Sequence, residues 1–136
     1  MPVVWGADGI AAVAAYRWRT QLNENAKVPA FSAAMSELDH NEIVGWNEES
    51  GRRFAIVALR VEGEGDDLDA RYAFTAGVAR AAGATVDEIW ATGERPLARL
   101  LSLVVTGDFA STYLGILRGV DPTPVEAIAR LKEHLR

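Results

Sequence analysis

The stretch Phe54-Ala55-Ile56-Val57-Ala58-Leu59 is apolar without interruption. A strand with one face in water alternates apolar with polar residues. An unbroken run is what a central strand of a parallel sheet needs, because helices cover both of its faces. Parallel neighbours cannot be joined by a tight turn, so this run obliges the chain to carry crossover helices.

The flanking sequence supplies them. Pro2-Val3-Val4-Trp5-Gly6 reads as a buried strand ending in glycine. Asp8 then stands as a candidate N-cap. Over Ile10 to Asn25, the residues Ile10, Val13, Ala14, Trp18 and Leu22 fall at helical spacing. Pro29 disfavours helix at Val28. The alanine-rich segment Ala30 to Met35 is expected as a short second helix. A further short helix is expected over His40 to Trp46, with Asp39 and Glu42 at capping-box spacing. Asn47 to Arg52 reads as a turn and Glu62 to Asp67 as an acidic loop. Asp69 to Ala82 reads as a helix closed by Gly83. Thr85 to Ala91 is a third strand. Pro96 opens a helix to about Gly107, which resumes from Asp108 to Arg118 after a kink, and Thr123-Pro124 opens the last helix, Val125 to Leu135. The order β-α-α-β-α-β-α-α predicts an α/β fold: a three-layer, flavodoxin-like, doubly wound domain with a mainly parallel sheet, filled by one chain of 136 residues.

Charge and composition narrow the function. The formal net charge is −5 and no Lys/Arg cluster occurs, which argues against a nucleic-acid partner. The absence of cysteine removes disulfides, thiolate nucleophiles and Cys-based zinc sites, and suits a cytoplasmic setting. No basic, apolar leader is visible at Met1-Pro2-Val3-Val4. Leu97 to Leu117 approaches the length of a membrane span, but Arg99 and Asp108 interrupt it, so a packed helix rather than a membrane segment is expected.

Two segments carry a more specific signal: Tyr16-Arg17-Trp18-Arg19-Thr20-Gln21-Leu22-Asn23-Glu24-Asn25-Ala26-Lys27 and Leu38-Asp39-His40-Asn41-Glu42-Ile43-Val44-Gly45-Trp46. With the tail element Arg118-Gly119-Val120-Asp121-Pro122, they resemble the C-terminal sugar-isomerase (SIS) domain of bacterial bifunctional phosphoglucose/phosphomannose isomerases. The resemblance covers essentially the whole chain, as the second half of a two-SIS-domain enzyme. It implies a hexose 6-phosphate substrate, a homodimer, an N-terminal SIS partner domain and no cofactor or metal. It also implies roles for particular residues. Glu24 matches the catalytic base. His40 matches the ring-opening histidine, which that family donates across a dimer interface. Lys132 matches a C-terminal-helix lysine near the reacting oxygens, and Thr123 matches a threonine linked to accepting both epimers. Asn23, Asn25 and Asn41 are candidates to orient Glu24 and His40, or simply to cap helix ends.

The residue types suit the chemistry. Opening the sugar ring needs a group that can both take and give a proton, which a neutral imidazole does. If Asp39 caps a helix, His40 sits in its first turn, where the dipole favours the neutral ring. Moving the proton between C2 and C1 through a cis-enediol needs a base. Glu24 lies near a helix C-terminus, where the dipole disfavours an anion by roughly 0.3–1 kcal/mol, which suits a carboxylate asked to accept a proton. Lys27 can offset this by i,i+3 pairing. Lys132 borders the apolar face Val125-Ile128-Leu131-Leu135. His134 reads as solvated, and Trp5, Trp18, Trp46 and Trp90 as packing anchors rather than sugar platforms.

The phosphate grip is missing. Asp8 spoils Gly6-Ala7-Asp8-Gly9 for an anion, and Glu94 weakens Thr92-Gly93-Glu94-Arg95. The resemblance assigns the phosphate loop and a catalytic arginine to the preceding domain, so the isolated chain is expected to have negligible activity. Ala30 to Met35 is less aromatic than the family pattern, which bears on epimer choice. The competing expectations are a non-catalytic SIS module for sugar-phosphate binding or dimerisation, and a different acid–base isomerase on the same fold.

Overall fold

The computed structural model describes residues 1–136. Four strands form one parallel sheet in the order β2-β1-β3-β4: β1 (Pro2–Gly6), β2 (Phe31–Ala34), β3 (Ala55–Arg60) and β4 (Thr85–Trp90). Chain order reverses direction across the sheet between β1 and β3, which is a topological switch point. The predicted α/β, parallel, doubly wound architecture is therefore present.

Side chains alternate between two cores, one on each face. Val3, Trp5, Ile56 and Ala58 point to the face covered by α2 (Met35–Leu38) and α4 (Asp66–Ala81). Val4 and Leu59 point to the face covered by α1 (Ile10–Asn25) and α5 (Pro96–Leu117). The central strands β1 and β3 are thus apolar on both sides, as the Phe54–Leu59 run requires. Two smaller helices complete the chain, α3 (Glu48–Gly51) and α6 (Glu126–His134).

Several local expectations are corrected. Residues 31–34 are the edge strand β2, not helix; its register pairs Val3 with Phe31 and Trp5 with Ala33. Alanine favours helix locally, but Pro29 sets the entry extended and the open edge of β1 satisfies the backbone. Helix begins only at Met35, where Met35 and Leu38 become fully buried. Asp39 closes that helix instead of opening another: its carboxylate accepts from Thr75 Oγ1 at 2.6 Å and pairs with Arg71 at 3.5 Å. His40 therefore lies in a turn before a 3-10 segment, Glu42–Gly45, and the helix-start argument for its neutral ring falls. Gly9, not Asp8, is the N-cap of α1. Asn47 forms a capping box with Ser50, turning the expected loop into α3.

Helix α5 continues through Gly107 and Asp108. A Cβ at Gly107 would run into the Trp18 ring, so glycine there lets the two helices close, and Trp18 Nε1 donates to the Leu103 carbonyl at 2.7 Å. Asp108 stays in the helix because Arg17 grips it through Nε and Nη2, both at 3.1 Å. By length and composition α5 could cross a membrane, but these contacts seat one face of it in the domain's own core. Its other face leaves Leu97, Leu101, Val105, Phe109, Tyr113 and Leu117 exposed at four-residue spacing.

Candidate active site

Helix α1 descends from the carboxyl end of β1 and ends beside the start of β2. Its last two turns line an open cavity of about 710 Å³, with Arg19, Thr20, Asn23, Glu24 and Lys27 on one wall and residues 124–128, the entry to α6, on the other. Glu24 and Lys27 are exposed and Arg19 is half-buried. Arg19 is paired with no carboxylate; its guanidinium stacks 4.3 Å from the Tyr16 ring centroid.

The asparagines serve as ties. Asn23 Nδ2 donates to the Arg19 carbonyl at 2.8 Å and the Ala30 carbonyl at 3.1 Å, joining α1 to the approach of β2. Asn25 Nδ2 donates to Gln21 Oε1 and to the buried Ser111 Oγ at 2.9 Å, joining α1 to α5. Neither bond touches the Glu24 carboxylate.

Lys27 departs from its expected role. Its ammonium does not pair with the Glu24 side chain but donates to three backbone carbonyls: Glu24 at 2.8 Å, Pro122 at 3.1 Å and Pro124 at 2.6 Å. Thr123 lies between those prolines. Its backbone N–H donates to Asp121 Oδ1 at 2.9 Å, and these Thr123 hydrogen bonds, with Lys27 nearby, hold the Asp121 carboxyl below its usual range. Lys132 is exposed one turn beyond the cavity-lining Ile128, on the same strip of α6. The entry loop is Pro124-Val125, with Val125 rather than Thr123 at the N-cap. No residue of α6 is buried, so its apolar strip Ile128-Leu131-Leu135 has no partner in this chain.

His40 and Asn41 are exposed and lie elsewhere. They follow β2 on the face covered by α4, to which neighbouring Asp39 is bonded, whereas Glu24 ends α1 on the opposite face. Within one copy the sheet separates carboxylate from imidazole.

The switch point carries a different arrangement. Arg60, the last residue of β3, is 4% exposed and sandwiched between the rings of Tyr72 (4.1 Å) and Trp90 (4.5 Å). It pairs with Asp69 and, at 2.9 Å, with Glu88, while its Nε has no partner. Burial raises Tyr72 above the ordinary phenol range; its hydroxyl donates to the Leu59 carbonyl at 2.9 Å. The adjoining crevice, about 540 Å³, is bordered by Asp8, Ser36, Glu64 and Arg71. Burial also raises the Glu64 carboxyl, against an opposing hydrogen bond from the Val61 N–H. Of the tryptophans, Trp5 and Trp18 are buried anchors, Trp46 packs edge-on between Trp5 and Phe54, and Trp90 is half-exposed over Arg60.

Known proteins resemble this chain in sequence and in fold. Bifunctional phosphoglucose/phosphomannose isomerase of Caldicellulosiruptor bescii is 38% identical over 99% of this chain, and that of Aquifex aeolicus is 35% identical over all of it. The chain spans only 40% and 42% of those two relatives. Among solved structures, a glucose-6-phosphate isomerase-like protein from Thermus thermophilus superposes on 88% of the chain and 40% of its own length, with a TM-score of 0.68 at 22% identity, which bears on the fold alone. Residues 1–135 match the family described as bacterial phospho-glucose isomerase C-terminal SIS domain, and the chain is a member of that family.

Proposed function

We propose that this domain supplies part of the active site of an aldose–ketose isomerase acting on glucose 6-phosphate and mannose 6-phosphate, with fructose 6-phosphate as the common ketose. The observation that carries the reading is the open cavity at the end of α1, where Glu24 faces solvent beside Arg19 and Lys27 and opposite the entry to α6. Glu24 removes the proton from C2 and returns it to C1 through a cis-enediol. His40 of a second copy opens the ring by protonating the ring oxygen and taking the anomeric hydroxyl proton. Lys132 stabilises the developing oxyanion, and Thr123 borders the sugar where the epimers differ. Asn23, which lines the cavity, and Asn41 are assigned to the substrate-binding part of the site.

The rest of the site is assigned to an N-terminal part, because the relatives are more than twice as long as this chain and the family is described as a C-terminal domain. The uncovered apolar face of α5 and the unpartnered α6 support the view that more protein packs on this domain. A second reading, a non-catalytic SIS module, holds if Glu24 and the His40 of a second copy do not converge on one cleft. The test is a coupled assay of the domain together with its N-terminal part, fused or supplied in trans, on both hexose phosphates. Glu24→Gln and His40→Ala are each expected to lower kcat by ~10²–10⁴-fold with little change in thermal stability. Unchanged turnover in either variant would leave the module reading standing.

A further inference from the structure

The end of α1 is built in an unusual way. Helices commonly close with a left-handed residue just past the cap, and glycine is the usual choice. Here Ala26 is the cap and the left-handed position is Lys27, at φ 54°, where no other non-glycine residue of the chain has positive φ. A β-carbon is disfavoured in that region, so a side chain kept there calls for a compensating interaction, and such outliers are where a functional constraint is to be sought. The compensation is visible: an ammonium has three protons, and Lys27 gives them to three carbonyls.

Those carbonyls belong to two distant pieces of chain. One is Glu24 itself, in the last turn of α1. The other two, Pro122 and Pro124, lie 95 and 97 positions further on, between α5 and α6. The segment they flank has little else to hold it. Gly119 turns out of α5, Asp121 accepts from Thr123 in its own loop, and no residue of α6 is fully buried. Lys27 is therefore the tie between the helix end that carries Glu24 and the segment that launches α6 with Lys132.

We propose that Lys27 is a positioning residue for the isomerase site: its ammonium sets the entry of α6 relative to the Glu24 turn, so that the two walls of the cavity keep a fixed separation. This rests on the functional reading of Glu24 given above. It links the two sequence elements Asn23-Glu24-Asn25-Ala26-Lys27 and Arg118-Gly119-Val120-Asp121-Pro122 through a single side chain.

The test uses Lys27→Gly, which accepts the left-handed backbone and removes the side chain with its ammonium, and Lys27→Arg, which keeps a cation with several donors. Both are made in the domain with its N-terminal part. Two readouts are taken: hydrogen exchange of the amides in 119–134, and kcat and KM on glucose 6-phosphate. In Lys27→Gly, exchange across 119–134 is expected to rise at least about tenfold while amides of β1 and β3 stay protected. The kcat is expected to fall about tenfold with a smaller change in KM, and Lys27→Arg to recover most of both. Unchanged exchange in a folded Lys27→Gly protein overturns the proposal. Raised exchange with unchanged kcat overturns the positioning role. Should the unsubstituted protein lack isomerase activity altogether, the functional reading fails, and the exchange measurement still decides whether Lys27 holds α6.

Discussion

The two ends of the sheet are finished in opposite ways. At the carboxyl end, where doubly wound folds usually receive ligands, the space beside β3 is occupied by the chain's own charges: Arg60 stacked between Tyr72 and Trp90 and paired with Asp69 and Glu88. At the other end, where α1 runs out beside the start of β2, the charges of Arg19, Glu24 and Lys27 border an open cavity. One end uses its ionic groups to hold the fold together. At the other, backbone carbonyls engage Lys27 and the Tyr16 ring stacks on Arg19, while Glu24 faces the open cavity. The same residue types do both jobs, and the partners decide which.

The comparison breaks most directly through Arg60. Arg60→Ala removes the buried stem, both ring contacts and the cation between Asp69 and Glu88. Truncating a buried pair costs roughly 3–5 kcal/mol, and because Asp69 is 60% and Glu88 32% exposed the lower end of that range, about 3 kcal/mol, is expected here. Denaturant titration measures it. Activity per folded molecule should be unaffected, the reverse of the pattern expected for Glu24→Gln. An Arg60 variant that keeps its stability but loses turnover would exchange the roles of the two ends.

A smaller effect sharpens the picture at Glu64. Its carboxyl is raised on folding, chiefly by burial, so the folded state holds the proton more tightly than the unfolded chain. The sign follows: Glu64 favours folding while protonated, and that contribution is lost as pH rises from the ordinary glutamate range through the raised value. Glu64→Gln keeps an acceptor for the Val61 N–H and removes the charge. It should therefore raise Tm slightly at pH 7, with the gain shrinking as pH falls through the raised value and gone below about 4.5. A lower Tm for the variant at pH 7 would show that the ionised carboxylate is used by the fold, through Arg60, rather than merely tolerated.

What can be read from the chain itself depends on the range of the interaction. The strands β1 and β3 are legible because buried strands announce themselves in apolar runs, and β4 through its β-branched Thr85, Val86 and Ile89. The edge strand β2 is not, because Phe31-Ser32-Ala33-Ala34 has small residues with helical leanings and becomes a strand only by pairing with β1. At Gly107-Asp108 the contacts that seat α5 come from Trp18 and Arg17 of another helix. Glu24 and His40 stand out only through resemblance, since nothing about an exposed glutamate or a turn histidine marks it as catalytic. The Lys27 tie is out of reach: its acceptors are backbone carbonyls, which leave no mark on a sequence, and two of them are more than ninety residues away.

On the proposed reading, Glu24 and His40 are kept apart by the sheet within one copy and meet across copies. Mixing tests this most directly. Glu24→Gln and His40→Ala proteins, each with the N-terminal part and each inactive alone, are unfolded, combined in equal amounts and refolded together. In a two-fold dimer with shared sites, every mixed dimer regains one intact pair, so about a quarter of the unsubstituted activity should return. Activity no higher than the mean of the two parents, in a preparation shown to contain mixed dimers, would contradict the account.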